Sequence, residues 1–374
     1  MKKKNLLVFG TRPEAIKMAP LVKELQKNHQ DFETKVCVTA QHREMLDQVL
    51  DFFEIVPDYD LDLMKPNQNL HQLTADIITE LKTVLEEYQP HYVFVHGDTT
   101  TTMATAIASF YSGAKVCHIE AGLRTWNKNS PFPEEMNRQI TGRITDYHFA
   151  PTQQSKENLL LENIKESNIN VTGNTVIDAL LESSERVKHL ENEEITHLKS
   201  IVSTQKELIL VTGHRRENHG QGFVNICSAL KEIANKKPEV QIVYPVHLNP
   251  KVKGPVNEIL GAVSNIHLID PLGYPAFVWL MNQSKLIITD SGGVQEEAPS
   301  LGKPVLVMRN NTERPEAVEA GTVILVGTET SKIVEETLSL LENKERYKEM
   351  SGKHNPYGDG KACARIVAFL KDQK

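Results

Sequence analysis

The sequence predicts an α/β fold in two halves of similar size, and three observations carry that reading. Short apolar segments alternate with helix-patterned ones from Asn5 to Leu161, the alternation restarts at Leu208, and polar residues stand directly behind the apolar segments. Short continuous apolar runs read as buried strands. Strands alternating with helices imply a parallel sheet covered on both faces. With 374 residues the chain has room for two domains of ordinary size. The expected division is 1–168, completed by a C-terminal helix within 356–374, and 169–355.

The elements follow in order. Asn5–Gly10 reads as a strand ending in GTRPEAIKMAP, where Pro13 suits a helix start and Ile16, Leu21, Val22 and Leu25 share a face. Strand 36–38, helix 45–52 and a longer helix from Leu70 to Tyr88 come next, the last with Leu73, Ile77, Leu81 and Leu85 in register. Strand 92–95 ends in His96-Gly97-Asp98-Thr99, helix 103–111 is built of small residues, and strand 116–119 ends in Glu120-Ala121-Gly122. A loop with two prolines leads to helix 134–144, and strand 148–150 with helix 152–161 completes the first set. After a helix near 178–187, the charged tract 191–206 reads as a surface helix and connector. The second series is strand 208–211, helix 223–234, strand 240–244, strand 266–269, helix 276–282, a strand before Thr289 and strand 305–308. A last helix, 361–370, is placed to fold back across the hinge. Polar residues behind the strands (Thr11, Gln41, Asp98, Glu120) then gather at the carboxyl edge, where open α/β sheets bind ligands. The expected ligand site is a cleft between two facing halves.

Composition narrows the function classes. A hydrophobic content of 40% with mixed charges fits a soluble globular chain with a real core. The net charge of −7 and the lack of a basic stripe disfavour nucleic-acid and anionic-membrane binding. Lys2-Lys3-Lys4 precedes an apolar run too short for a signal peptide, and no stretch approaches the roughly 20 apolar residues of a membrane span. Cys37, Cys117, Cys227 and Cys363 are scattered with neither disulfide nor zinc spacing, so buried free thiols in a reducing cytoplasm are expected. No HExxH, Walker A or GxGxxG is present, which removes the best support for zinc proteolysis, P-loop hydrolysis and standard dinucleotide binding.

The stretch richest in chemistry is Thr289–Glu297, TDSGGVQEE, where a strand turns into a helix across Ser291-Gly292-Gly293. Two glycines leave no Cβ between backbone and ligand, and the first-turn N–H groups of a helix attract an anion. Ser291 also suits an N-cap, so a plain capped helix explains the same residues. Glu296-Glu297 behind the glycines favours the ligand reading, because a carboxylate there accepts both hydroxyls of a ribose. Arg12 and Lys17 flank the first helix start, one placed to fork onto phosphate and the other to add charge. Asp98, Glu120 and Glu134 lie near one edge, and an acid ending a buried strand is costly unless paired or used. Asp98 equally suits a cap over Thr101-Thr102, and Glu134 a first-turn helix acid. His214, between Gly213 and Arg215-Arg216, suits phosphate contact or proton transfer. His96, His118 and His148 read as structural.

These segments together resemble a known family. GTRPEAIKMAP, TAQHREMLDQVL, VHGDTTTTMA, HIEAGLRT, PFPEEMNRQITG, TGNTVIDAL, VTGHRREN, VYPVHLNP, TDSGGVQEEAPSLGKPVLV, TERPEAV and NPYGDG resemble the non-hydrolysing bacterial UDP-N-acetylglucosamine 2-epimerases, from Gly10 to Gly360. The resemblance implies a glycosyltransferase-B-like fold of two Rossmann-like domains, usually a homodimer, in the cytoplasm. It implies reversible conversion of UDP-N-acetylglucosamine to UDP-N-acetylmannosamine without NAD or metal, through elimination of UDP to 2-acetamidoglucal and re-addition. The product would feed surface polysaccharide. Carried over residue by residue, Arg12 and Lys17 match ligand-binding positions. Asp98, Glu120 and Glu134 match the essential acids, and His214 the active-site histidine. Ser291, Gly292 and Gly293 match the phosphate turn, Glu297 the ribose carboxylate and Arg314 a further nucleotide contact. Phe277 would lie by the uracil, with Leu272 supplying a backbone contact. Gln41, His42, Gln68, Arg215 and His247 resemble an activating second-substrate site, although Asn67 stands where several relatives carry an arginine, which weakens the case for activation. The rival readings are a retaining glycosyltransferase of the same fold, a hydrolysing epimerase and a catalytically silent nucleotide-sugar sensor. Retention of Asp98, Glu120, Glu134 and His214 together argues against the sensor.

Overall fold

A computed structural model describes residues 2–39, 43–63 and 68–373 of the chain. It divides into two compact units, Met1–Ala179 with Tyr357–Lys374, and Leu180–Pro356. Among the described residues no helix is long and apolar enough to cross a membrane.

The first unit is built on β1 (Lys3–Phe9), β2 (Phe32–Val38), β3 (Tyr59–Asp60), β4 (Tyr92–His96), β5 (Lys115–Ile119), β6 (Tyr147–Ala150) and β7 (Ile169–Val171). They form one sheet in the order β3-β2-β1-β4-β5-β6-β7, every pairing parallel. The strands alternate with helices because the connections carry amphipathic 3.6-residue patterns. In helix Leu70–Tyr88 the expected Leu73, Ile77, Leu81 and Leu85 are all buried, packed with Leu6, Val8 and Val93 of the sheet. Each such burial stabilises the fold by about 1.5–3 kcal/mol. Asn69 caps that helix by accepting from Gln72 N, and Gln89 ends it in the left-handed region just before Pro90.

The boundary between the units differs from the sequence expectation. The first sheet does not stop at Ala150: β7 pairs with β6, which carries the first unit to Ala179, inside helix Thr175–Arg186, rather than to 168. The strand is only three residues long, with one buried side chain, so its apolar signal is weak. The C-terminal helix Ala362–Asp372 belongs wholly to the first unit. The Asp178 carboxylate accepts from the backbone N–H groups of Ala362 and Cys363, and Phe369 packs edge-on against Tyr147 and Phe149.

The second unit holds β8 (Leu208–Thr212), β9 (Gln241–Pro245), β10 (Ile266–Ile269), β11 (Leu286–Thr289), β12 (Val305–Val307) and β13 (Val323–Leu325), in the parallel order β10-β9-β8-β11-β12-β13. The charged tract contains helix Glu193–Ile201, whose Ile195 and Leu198 are buried beneath an otherwise wet face. Helix Pro250–Leu260 escaped the periodicity reading because it carries prolines at its first turn and inside it. The four cysteines are buried free thiols.

Both sheets reverse strand order at one place, between β1 and β4 in the first and between β8 and β11 in the second. The connections there leave in opposite directions and open a crevice beyond the carboxyl ends of the strands. The loops at these crevices are Gly10-Thr11-Arg12 and Gly97-Asp98 in one unit, and Gly213-His214-Arg215 and Asp290–Gly293 in the other.

Candidate active site

In the first unit the loop behind β1 is fixed by a reciprocal cap. Thr11 Oγ1 accepts from Glu14 N, and the buried Glu14 carboxylate accepts from the N–H groups of Gly10 and Thr11 and from the hydroxyl of Thr99. Gly10 is obligatory there, since a Cβ would lie 1.9 Å from Thr39 Oγ1. This frame sets Arg12 at the first position of helix Arg12–Lys27, with Lys17 five residues on.

Lys17 reaches Glu120, the residue after β5, and forms an ion pair with its Oε2. Glu120 has φ 60°, the left-handed region that side chains enter only at a cost of about 1–2 kcal/mol. His96, the last residue of β4, pairs with Ile119 in the sheet and so lies beside Glu120, its Nε2 3.4 Å from Oε2 without good hydrogen-bond geometry. Asn174 Nδ2 donates to the same oxygen at 3.0 Å. Burial alone would raise the Glu120 carboxyl. The Lys17 ammonium and the His96 ring outweigh it and hold that carboxyl well below the usual carboxylate range. His96, read from the sequence as structural, thus stands buried against Glu120. His118, by contrast, is fully buried with Nε2 2.7 Å from the Gly97 carbonyl, and burial pushes its ring down to about 3; burial likewise takes His148 to about 4.

Asp98 does not cap the following helix. Thr99 does, accepting from Thr102 N, while Asp98 Oδ2 takes contacts from both Nε and Nη2 of Arg138, at 2.9 and 2.8 Å. Arg138 is fixed in turn by buried Glu135, which also accepts from Thr125 N and Trp126 N and so pins the loop between β5 and helix Glu134–Ile144. Glu134 begins that helix, and its Oε2 is buried with no hydrogen-bond partner among the described residues. The expectation that brought Arg12, Lys17, Asp98, Glu120 and Glu134 to one edge missed His96, Asn174 and Arg138. Their signal was position: His96 ends a strand beside Glu120's, and Asn174 opens the helix after β7.

In the second unit β8 and β11 are neighbours, Thr212 opposite Thr289, so the residues after them meet. Asp290 is fully buried and accepts from His214 N, Arg215 N and Asn218 Nδ2. It thereby folds the His214-Arg215 turn back towards the Ser291-Gly292-Gly293 turn. His214 remains half-exposed, stacked on His247 with ring centroids 5.5 Å apart and Nδ1 3.6 Å from Asp290 Oδ1. Its ring is shifted down, burial outweighing the attraction of Asp290, with Arg215 and His247 adding to the fall.

Ser291 precedes helix Gly292–Glu297 but its hydroxyl makes no cap bond. Instead its N–H donates to Thr289 Oγ1, and its carbonyl accepts from Gln295 Nε2. A Cβ built on Gly292 would lie 3.7 Å from Arg314 Cζ and 3.8 Å from Arg215 Nη2. Two guanidinium groups thus border the glycine turn, the composition of an anion cradle. Arg314 also pairs with buried Glu296 at 2.5 Å, and Arg215 Nε is buried without a hydrogen-bond partner among the described residues. Glu297 is buried beside Gly293. Leu272 lines a cavity of about 370 Å³ with His197, Lys253 and Asp270, and its neighbour Gly273 is anchored by Glu194, which accepts from Gly273 N at 2.9 Å. Phe277 is half-buried one turn into the helix that follows.

The members of the expected activating set are divided between the two units. Gln41, His42 and Asn67 lie outside the described residues, Gln68 is in the first unit donating to Asp76, and Arg215 and His247 are in the second. Arg215 stands beside Gly292.

Comparison with known proteins places this geometry. The family model described as UDP-N-acetylglucosamine 2-epimerase matches residues 23–371. The UDP-N-acetylglucosamine 2-epimerase of Escherichia coli K12 is 59% identical over 373 residues, 99% of each chain. A crystal structure of the Neisseria meningitidis enzyme bound to UDP-GlcNAc superposes with a TM-score of 0.88 at 54% identity, covering 99% of this chain and 100% of that one. A structure from Listeria monocytogenes with the same name, marked there as unproven, gives a TM-score of 0.93 at 49% identity over 99% and 96% of the two chains. Two Rossmann-like parallel-sheet domains in one chain, as here, make up the glycosyltransferase-B-like class of fold.

Proposed function

The chain belongs to the UDP-N-acetylglucosamine 2-epimerase family, and we propose that it interconverts UDP-N-acetylglucosamine and UDP-N-acetylmannosamine. The observation that carries the proposal is the pairing of capabilities in one chain. The first unit offers three carboxylates at its crevice, and the second a glycine turn bordered by Arg215 and Arg314. An epimerase that worked by expelling a nucleoside diphosphate would need both.

The chemistry follows from the substrate. The proton on C2 is not acidified by a neighbouring ketone, so simple deprotonation is unattractive. In an elimination a carboxylate takes that proton, the C–H electrons form the C1–C2 double bond, and UDP leaves with the C1–O pair. Re-addition of UDP to the resulting 2-acetamidoglucal, with a proton delivered to the opposite face of C2, inverts that centre. Guanidinium groups and N–H donors stabilise the leaving diphosphate and keep it bound for return. Two carboxylates serving opposite faces of C2 fit a set in which Glu120 is clamped by cations while Glu134 keeps a buried oxygen unengaged. Glu297, buried beside Gly293, suits the ribose diol, with Phe277 beside the uracil and Leu272 supplying a backbone contact. A homodimer in the cytoplasm, feeding surface polysaccharide, completes the proposal.

Proton NMR of UDP-N-acetylglucosamine with the protein in deuterated water tests it. Deuterium at C2 and a mannosamine product with no acceptor present are expected. Product only when an acceptor is added would point to transfer, free sugar to hydrolysis, and an unchanged spectrum to a silent sensor.

A further inference from the structure

Two donors and a histidine ring nitrogen, from three elements, converge on one oxygen of Glu120. Lys17 from helix Arg12–Lys27, Asn174 from the start of helix Thr175–Arg186 and His96 from the end of β4 all address Oε2. No hydrogen bond of Glu120 among the described residues reaches Oε1. A lysine alone would neutralise the charge, so charge balance does not explain the other two. What they add is direction, because two donors fixed on one carboxylate oxygen, with the His96 ring packed against it, restrict how the carboxylate plane lies. The frame behind them is stiff. Asn174 N donates to Tyr357 O and Asn174 Oδ1 accepts from Val176 N, while His96 is 4% exposed and ends a central strand. The left-handed backbone at Glu120 is a strained conformation kept at the same spot.

We propose that His96 and Asn174 are positioning residues for Glu120, holding its Oε2 so that Oε1 is the oxygen presented to the sugar. This rests on the reading above, in which Glu120 exchanges a proton with the substrate. The titratable and charged groups facing Glu120 are Lys17 and His96, and Asn174 is the neutral member whose charge can be changed without altering its shape.

Asn174→Asp is the test. It keeps the backbone bond to Tyr357 and the acceptor for Val176 N but sets a second carboxylate 3.0 Å from Oε2 in place of a donor. Like charges that close raise the proton affinity of the pair. The acid limb of the kcat–pH profile should move up by about one pH unit or more, with kcat at pH 7 falling at least roughly tenfold and KM changing less than about twofold. Carboxyl-carbon NMR titration of labelled glutamate, with the Glu120 signal identified by its loss in Glu120→Gln, reads the same shift without any turnover. An unmoved Glu120 titration in a folded Asn174→Asp protein overturns the proposal. A moved titration in a protein inactive even as wild type leaves the positioning intact and sinks the functional reading instead. A second pair guards against misfolding of the first. His96→Gln returns a donor near Nε2 and should keep kcat within a few-fold, whereas His96→Phe should lose about tenfold or more at constant KM. Equal activity of these two would also overturn it.

Discussion

The two units prepare for charge in opposite ways. In the first, negative groups are neutralised before any ligand arrives: Glu120 is held by Lys17 and Asn174, and Asp98 by Arg138. In the second, positive groups border an opening, with Arg215 and Arg314 beside a glycine that presents no side chain. Each arrangement follows from what its unit is asked to do. A carboxylate that must exchange protons on command needs a defined protonation state and direction, so its partners are built in. A site that must grip a diphosphate gains most from cations whose best partner is the ligand itself. The lesson is that in one unit counter-charge is set directly on the acids, whereas in the other two guanidinium groups are set beside a turn that has no side chain.

The comparison breaks most visibly at Glu120. Replacing it by glutamine removes the charge without changing shape, and turnover should fall by about a thousandfold, within the range for loss of a general acid–base group. Affinity for UDP, assigned to the other unit's turn, should stay within about twofold by calorimetry. A parallel loss of UDP affinity would mean that the two jobs are not divided between the units. Lys17 also loses its buried partner in this variant, so reduced stability should accompany the loss of turnover.

A pH effect on stability comes next. His118 and His148 are held neutral by burial, at about 3 and about 4, whereas an unfolded histidine takes up its proton near 6.5. Between those limits the unfolded chain carries two more protons than the folded one, so stability must fall as pH falls. The slope approaches about 2.7 kcal/mol per pH unit for two protons. Both residues belong to the first sheet, so hydrogen exchange between pH 6.5 and 5 should show that unit loosening first. Flat denaturant midpoints over that range would refute the neutral assignment.

Much of this was legible in the sequence because the two fold signals are local. Helix Leu70–Tyr88 announces itself through a four-residue apolar repeat, and β1, β4 and β11 through short apolar runs. The residues behind those strands could be assigned to one edge by topology alone. What stayed hidden depends on neighbours in space. β7 is recognisable only by its pairing with β6, and helix Pro250–Leu260 is hidden by two prolines, of which Pro250 is tolerated because the first N–H groups need no partner. Asp98 offered two readings that its own segment cannot separate, and Arg138, forty residues on, decides between them. His96 looked like an ordinary buried histidine because nothing in VHGDTT shows that β4 and β5 are adjacent. Ser291 has the right residue type for a cap, yet Thr289 takes its N–H and the hydroxyl makes no cap bond.

The smallest predicted effect is the most discriminating for the second unit. At Gly292 an added methyl meets nothing closer than 3.7 Å, and its backbone lies in no region reserved for glycine, so alanine fits the unliganded protein. Gly292→Ala should leave stability unchanged or raise it by up to about 1 kcal/mol, since alanine is the better helix former. The methyl would nevertheless occupy the space between the glycine turn and the guanidinium groups of Arg314 and Arg215. An anion seated there is pushed from both, and UDP affinity should drop by about tenfold, near 1.4 kcal/mol. Thermal denaturation and UDP calorimetry on the one variant separate the two terms. If affinity holds while stability rises, the glycine serves only the turn, and the diphosphate is gripped elsewhere.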